Sequence, residues 1–343
     1  MKLSEFDYDL PKELIAQYPA KERDKCRLMV LDRKSRSVEH RTFEGIAEYF
    51  KPGDCLVLND TRVIPARLFG RRATGGKVEL FLLEVKDPVS EALVRPSGRI
   101  REGEKISLES GDEVELLGRG AVGRMVRFPR PVSDIIREAG HVPLPPYIDR
   151  TDDDADEHDY QTVYGAKDGA TASPTAGLHF THGLLDKIRA KGVSIAYVTL
   201  HTNYGTFAPV KSEDVEGHAM HREYFELPSE TERLLIRVKE KGGAIFAVGT
   251  TTTRVLEHCA SRIRDAFEPE AAKTCSGHTD LFIYPGYRFK VVDHLITNFH
   301  LPKSTLMILV SAFAGGEFIK GAYRQAIEAR YRFFSYGDAM LIL

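Results

Sequence analysis

The segment Asn298-Phe299-His300-Leu301-Pro302-Lys303-Ser304 sets an amide, an imidazole and an ammonium side by side. Asn298 and His300 can read the edge of a purine, and Lys303 can neutralise a phosphate or a carboxylate. Just upstream, Tyr284-Pro285-Gly286-Tyr287 make a stiff aromatic turn, because proline fixes φ and glycine opens positive φ. Tyr284 and Tyr287 can stack on a splayed base or plug the core. Polar groups gathered where an apolar run meets a helix usually face a ligand.

Four further clusters carry chemistry. In Ser173–Thr181 (SPTAGLHFT), Pro174, Thr175 and Gly177 set up a tight approach to a helix, with His179 close to its start. A helix N-terminus disfavours imidazolium, so His179 reads as a neutral base, with a buried capping histidine as the alternative. His201 follows the strand-like VSIAYVTL and precedes Gly205 and Thr206, the ligand position at a strand's C-terminal end. Gly249, Thr250 and Arg254 lie in AVGTTTTRVLE, another strand-turn-helix passage. Backbone amides there suit an anion, and a hydroxyl-capped helix without ligand is the alternative. Asn59-Asp60-Thr61-Arg62 forms a polar knot that serves either as a substrate contact, with Asp60 accepting from an amine and Arg62 meeting phosphate, or as a clasp between domains.

No metal site is expected. His218 and His221 are three apart, without an H-E-x-x-H pattern or a cysteine partner. Cys26, Cys55, Cys259 and Cys275 are scattered without C-x-x-C spacing, which argues against disulfides and cysteine zinc sites and suits a reducing cytoplasm. No signal pattern opens the chain and no apolar run approaches the ~20 residues of a membrane span. The net charge of −2 does not call for nucleic acid, but 14 Lys+Arg against 10 Asp+Glu between Arg62 and Arg130 give that stretch a basic bias.

The elements that must position these residues fall into two styles. Between Lys77 and Phe128, short β-rich runs (KVELFLLEV, EALVRP, KISLES, EVELLG, RMVRF) are separated by glycine and proline turns, as in a small antiparallel barrel. SDIIREAG then reads as a helix capped by Ser133, and Thr151–Asp159, with six acids, as a solvated linker. Beyond it strands and helices alternate: LLDKIRAKG, VSIAYVTL, a helix from Ser229 with a Ser229/Glu232 capping box, AIFAVG, and a helix RVLEHCASRI after the GTTTT turn. Ser304 suits the N-cap of an apolar helix Thr305 to Phe313. The chain is therefore expected to be an α/β layered domain of residues 1–64 and 151–343, with an inserted small antiparallel β-barrel domain at 65–150.

The strings VLNDTRVIPARLFG, SPTAGLHFT, YGTFAPV, AVGTTTTRVLE and LFIYPGYRFKVVDHLITNFHLPKSTLM, in this order, closely resemble the S-adenosylmethionine:tRNA ribosyltransferase-isomerase family of the queuosine pathway. The likeness runs from LPKELIAQYPAKERDKCRLMVLDR to YRFFSYGDAMLI. It implies transfer and isomerisation of the ribosyl group of S-adenosylmethionine onto 7-aminomethyl-7-deazaguanine at the tRNA wobble position, giving epoxyqueuosine and releasing adenine and methionine. S-Adenosylmethionine is then a consumed substrate and no cofactor is expected; the partner is a tRNA anticodon loop, and the protein is expected to be a cytoplasmic monomer. The family more often shows H-V-G-x-G-T-F after the strand, so Thr202 and Asn203 are departures.

Such chemistry needs a base near the carbon beside the sulfonium, an acid or donor for adenine, and positioning groups. His179, His201 and Asp60 are the catalytic candidates. Asn59, Thr61, Arg62, Pro174, Thr175, Gly177, Gly205, Thr206, Gly249, Thr250, Arg254, Tyr284, Asn298, His300 and Lys303 are the substrate-binding ones. Two rival readings remain, a methyltransferase and a non-catalytic RNA-binding module; the first lacks the glycine-rich opening turn of a doubly wound cofactor fold.

Overall fold

The structure is a computed structural model, and it describes residues 1–97, 101–202, 212–265 and 273–343. Apolar alternation along the strands builds a nine-stranded mixed sheet buried on both faces. In Cys55–Asn59, Cys55 and Val57 face one core, and Leu56 and Leu58 face the other. Ile245–Val248 and Arg27–Asp32 divide their side chains in the same way. This period of two explains why the runs read as continuously hydrophobic.

The sheet order is Cys275–Thr279, Glu223–Leu227, Ser194–Leu200, Cys55–Asn59, Ile245–Val248, His294–Asn298, Ala339–Ile342, Arg27–Asp32 and Ser37–Thr42. The four strands from Ser194–Leu200 to His294–Asn298 are mutually parallel. Their C-terminal ends, at Asn59, Leu200, Val248 and Asn298, therefore point the same way. Ala339–Ile342 runs antiparallel to His294–Asn298 and parallel to Arg27–Asp32, so both ends of the chain meet in one sheet.

Six antiparallel strands form the barrel: Arg67–Arg72, Lys77–Leu82, Val89–Arg95, Arg124–Arg127, Glu113–Arg119 and Lys105–Leu108, the last pairing back onto the first. Leu68, Val78, Leu80, Ala92, Val94, Ile106, Val114, Leu116 and Val126 fill its interior. At the closing seam a Cβ on Gly70 would lie 2.7 Å from the Ser107 carbonyl and 2.8 Å from Ile106, so only glycine lets the two strands approach. The helix Val132–Ala139 packs Val132, Ile135 and Ile136 into the same core.

Several sequence expectations change. The helix after the barrel has Pro131 at its N-cap rather than Ser133, and the Asp87 carboxylate accepts the Val132 N–H at 2.7 Å. The helix Ser229–Glu240 likewise starts after Pro228 without a side-chain cap, and Glu232 instead pairs with Arg262 at 2.9 Å. Thr250 to Thr253 are not a turn but the first coil of the helix Gly249–His258. Ser304 does cap Thr305–Ala314, accepting the Met307 N–H at 3.1 Å.

The acidic stretch Thr151–Asp159 is largely exposed, with one exception. Asp156 is 1% exposed, bound by the Arg150 guanidinium at 2.6 and 2.8 Å and by the Tyr336 hydroxyl at 2.7 Å. It ties the barrel's exit to the chain's last turn.

No single described helix is long and apolar enough to cross a membrane, and the consecutive helices Thr305–Ala314 and Gly316–Glu328 bend by 113°.

Candidate active site

A cavity of about 320 Å³ opens at the C-terminal ends of the parallel strands. The start of the helix Gly249–His258 contributes Gly249, Thr250 and Thr251, and the end of His294–Asn298 contributes Thr297 and Asn298, with His300 just beyond. Ala172 to Ala176 close one side, while Tyr147, Phe334 and Ser335 close another. The lining is mainly apolar and, among the described residues, includes no Asp or Glu. The hydroxyls of Ser173, Thr202 and Thr251 are buried and have no hydrogen-bond partner among the described residues. Unsatisfied buried hydroxyls cost free energy, so three around one cavity are candidate ligand contacts.

Asn298 is held on several sides. Its Nδ2 donates to the Phe334 carbonyl at 3.2 Å and lies 3.0 Å from His179 Nε2, while its Oδ1 accepts from the Thr175 hydroxyl at 3.0 Å. His179 Nδ1 is in turn 3.2 Å from the Cys26 sulfur. Burial, reinforced by the positive charges of Arg23 and Arg332, lowers the His179 pKa to about 3. His179 is buried, does not line the cavity, and has Asn298 and Cys26 against its two ring nitrogens, the arrangement of the buried alternative.

His300 is also buried and neutral, its pKa lowered to about 3 by burial, with Nε2 2.8 Å from the Thr297 hydroxyl. Its backbone N–H donates to the Tyr323 hydroxyl at 3.0 Å and its carbonyl accepts from the Tyr8 hydroxyl. Lys303 lines the cavity with φ of 56° and pairs with Asp7 at 2.6 Å. Pro174, Thr175, Gly249 and Thr250 line the same cavity.

A second cleft, of about 820 Å³, lies where the barrel meets the sheet. Arg62, Arg137, Arg222, His201, Tyr224 and Asp168 are on its walls. His201 Nδ1 is 2.8 Å from the Thr61 hydroxyl, its ring stacks on Tyr224 at 5.7 Å, and Gly169 passes so close that a Cβ there would lie 2.9 Å from the imidazole. Burial lowers the His201 pKa, partly opposed by Glu226 and Asp60. Arg62 is half exposed, 3.6 Å from Asp168.

Asp60 lines a neighbouring hollow with Lys167 and Glu226, which are ion-paired to each other. Its Oδ1 accepts the Thr199 hydroxyl at 2.7 Å, and burial raises its pKa against that hydrogen bond and the Lys167 charge. The 169–173 and 201–202 segments run between the cavity and the cleft, joined by the Thr171 N–H to the Thr202 carbonyl at 2.9 Å.

Four expected substrate contacts are structural. Asn59 bridges two strands, its amide bound to the Leu200 carbonyl and N–H at 3.1 and 3.0 Å. A Cβ on Gly177 would collide with the Tyr164 hydroxyl, so that glycine serves packing. The Arg254 guanidinium is held by a buried pair with Glu223 and by the Leu281 carbonyl at 3.0 Å, so any anion at this turn would rest on the backbone amides. Tyr284 packs on Phe282 at 5.5 Å, away from the cavity lining. Thr61 is fully buried, its hydroxyl 2.8 Å from His201 Nδ1. Gly205, Thr206 and Asn203 lie outside the described residues.

Ser173, Thr202, Tyr147 and Phe334 also line the cavity and were not singled out as ligand contacts from the sequence. Ser173 sat inside a motif already singled out, but nothing in the order of residues marks a hydroxyl as lacking a partner. Among the described residues no three His, Cys, Asp or Glu side chains gather as a metal site.

A mixed α/β sheet with a ligand cavity at its parallel strand ends, beside an arginine-walled cleft against a small barrel, is the framework of a family of RNA-modification enzymes. The family model for queuosine biosynthesis proteins matches residues 3–342, and the chain belongs to that family. It is 52% identical over full length to the S-adenosylmethionine:tRNA ribosyltransferase-isomerase of Sulfurihydrogenibium sp. strain YO3AOP1, covering all of both chains. It is 50% identical, again over the whole of both chains, to the enzymes of the same name from Thermotoga maritima and Staphylococcus haemolyticus. The crystal structure of S-adenosylmethionine tRNA ribosyltransferase from Thermotoga maritima superposes with a TM-score of 0.57 at 41% identity, covering 99% of this chain and all of that one.

Proposed function

We infer that the chain transfers and isomerises the ribosyl group of S-adenosylmethionine onto 7-aminomethyl-7-deazaguanine at the tRNA wobble position, forming epoxyqueuosine and releasing adenine and methionine. Full-length identity of about half to enzymes of that name supports the reaction. The observation that carries the placement is the cavity with three unpartnered hydroxyls at the parallel strand ends. S-Adenosylmethionine occupies it, with the methionine carboxylate at the N-terminus of the helix Gly249–His258, where partial positive charge gathers. The deazaguanine nucleotide enters the cleft against the barrel, where Arg62, Arg137 and Arg222 meet phosphates and Tyr224 offers a stacking face.

The sulfonium acidifies the ribose methylene next to it, and a base that removes that proton starts the sequence. Asp60 and His201 are our candidates for the proton transfer: His201 stands on the cleft wall and Asp60 in the hollow beside it, and burial raises the proton affinity of Asp60 and lowers that of His201. Residues 1–64 and 151–343 form the catalytic unit, the barrel at 65–150 is its RNA-facing insertion, and the protein works in the cytoplasm as a monomer without metal or resident cofactor.

The test is incubation with S-adenosylmethionine and tRNA carrying the deazaguanine base, with and without a chelator. Released adenine in both reactions supports the reading. S-Adenosylhomocysteine instead identifies a methyltransferase, neither product identifies a binding module, and chelator-sensitive turnover restored by one divalent ion removes the metal-free claim.

A further inference from the structure

The hydrogen-bond directions around Asn298 can be fixed without reference to any hydrogen position. The Phe334 carbonyl can only accept, so the amide atom 3.2 Å from it is the nitrogen. That nitrogen's other hydrogen points to His179 Nε2 at 3.0 Å, so Nε2 carries no proton and Nδ1 does. The Nδ1 hydrogen then faces the Cys26 sulfur. Both Asn298 hydrogens are thereby spent on buried protein groups. Its Oδ1 has accepted one hydrogen, from Thr175, and keeps a second lone pair. Toward the cavity Asn298 is an acceptor and cannot donate.

The ligand atom opposite must therefore bear hydrogen. At Asn298 no carboxylate of the described lining balances an ammonium, so the neutral end of the substrate suits this oxygen and its charged end the helix terminus. A neutral amine on a flat ring suits a wall that also carries Tyr147 and Phe334, whose rings lie 4.8 Å apart. We propose that Asn298 Oδ1 receives the exocyclic amine of the adenine of S-adenosylmethionine, and that His179 is a positioning residue which locks the Asn298 amide in the accepting orientation and so sets specificity for an amino-purine. This rests on the reading that S-adenosylmethionine fills the cavity, and it adds which end of the substrate lies at Asn298.

The experiment compares equilibrium binding, by the full chain without tRNA, of S-adenosylmethionine and its 6-oxo counterpart, in which an acceptor replaces the amine. The wild-type protein is expected to bind the 6-oxo compound at least about 100-fold more weakly, since it sets two acceptors against each other with no proton between them. His179→Leu should shrink that ratio about tenfold, and His179→Gln, whose Oε1 can accept from Asn298, should restore it. A purely structural role would lower affinity for both compounds alike and leave the ratio unmoved. Equal wild-type affinities overturn the proposal whether or not any variant folds. Thr251→Phe, which fills the cavity, tests the underlying reading separately. If it leaves S-adenosylmethionine affinity unchanged, the substrate lies elsewhere; if it abolishes binding while the wild type ignores the 6-oxo change, only the adenine assignment fails.

Discussion

At the scale of single residues, the site divides its histidines by burial. His179 and His300 are enclosed and neutral, whereas His201 faces the cleft. Single-turnover adenine release at saturating substrates should fall about 10²–10⁴-fold in Asp60→Asn or His201→Ala, with affinity for S-adenosylmethionine little changed. Normal rates in both variants would move the proton transfer elsewhere. The enclosed pair also shapes stability. Their folded pKa values near 3 lie below the unfolded value near 6.5, so the unfolded chain binds more protons and stability falls as pH drops from about 6.5 towards 3. Each contributes up to about 1.4 kcal/mol per pH unit in that window. Denaturant titrations between pH 4 and 7 should therefore show a shallower slope in His300→Gln than in the wild type.

At the scale of elements, the strand ends were legible in the sequence because apolar runs broken by polar residues mark where parallel strands stop. Asn298, His300, Thr175 and Thr250, expected as substrate contacts, line the cavity. Partnerships across long sequence separations were not legible. Arg254 looked like an anion ligand, yet Glu223 from a neighbouring strand claims it; His179 looked like a free base, yet Cys26 and Asn298 hold it. Asp156 looked solvated because its partners Arg150 and Tyr336 come from two other segments. The Arg254 pair joins the helix Gly249–His258 to the sheet's outer strands. Arg254→Met should cost about 3–5 kcal/mol in denaturant unfolding, because it removes the cation beside a buried carboxylate. It should leave the salt dependence of RNA affinity intact, and a changed slope would restore Arg254 to the RNA surface.

At the scale of the whole molecule, the cleft walls carry Arg62, the first residue of the basic stretch, with Arg137 from beyond its end and Arg222 from the sheet side. RNA affinity should decline with salt, and Arg62→Ala should reduce the slope of log K against log salt by about 0.7, the share of one single-strand phosphate. Fluorescence anisotropy of a labelled anticodon stem-loop between low and moderate salt measures it, and an unchanged slope would place the phosphates elsewhere.

The strand Ala339–Ile342 sits between His294–Asn298 and Arg27–Asp32. During synthesis the hairpin of residues 27–42 leaves the ribosome early, but the neighbour it needs on its inner edge is made after the barrel and nearly all the remaining sheet. Until then that edge presents unpaired backbone groups, the kind of surface that chaperones shield and stray strands capture. A ribosome stalled short of residue 339 would therefore hold a chain whose barrel can already close while its first hairpin waits, so damage near the 3′ end of the message would expose the protein's beginning rather than its end.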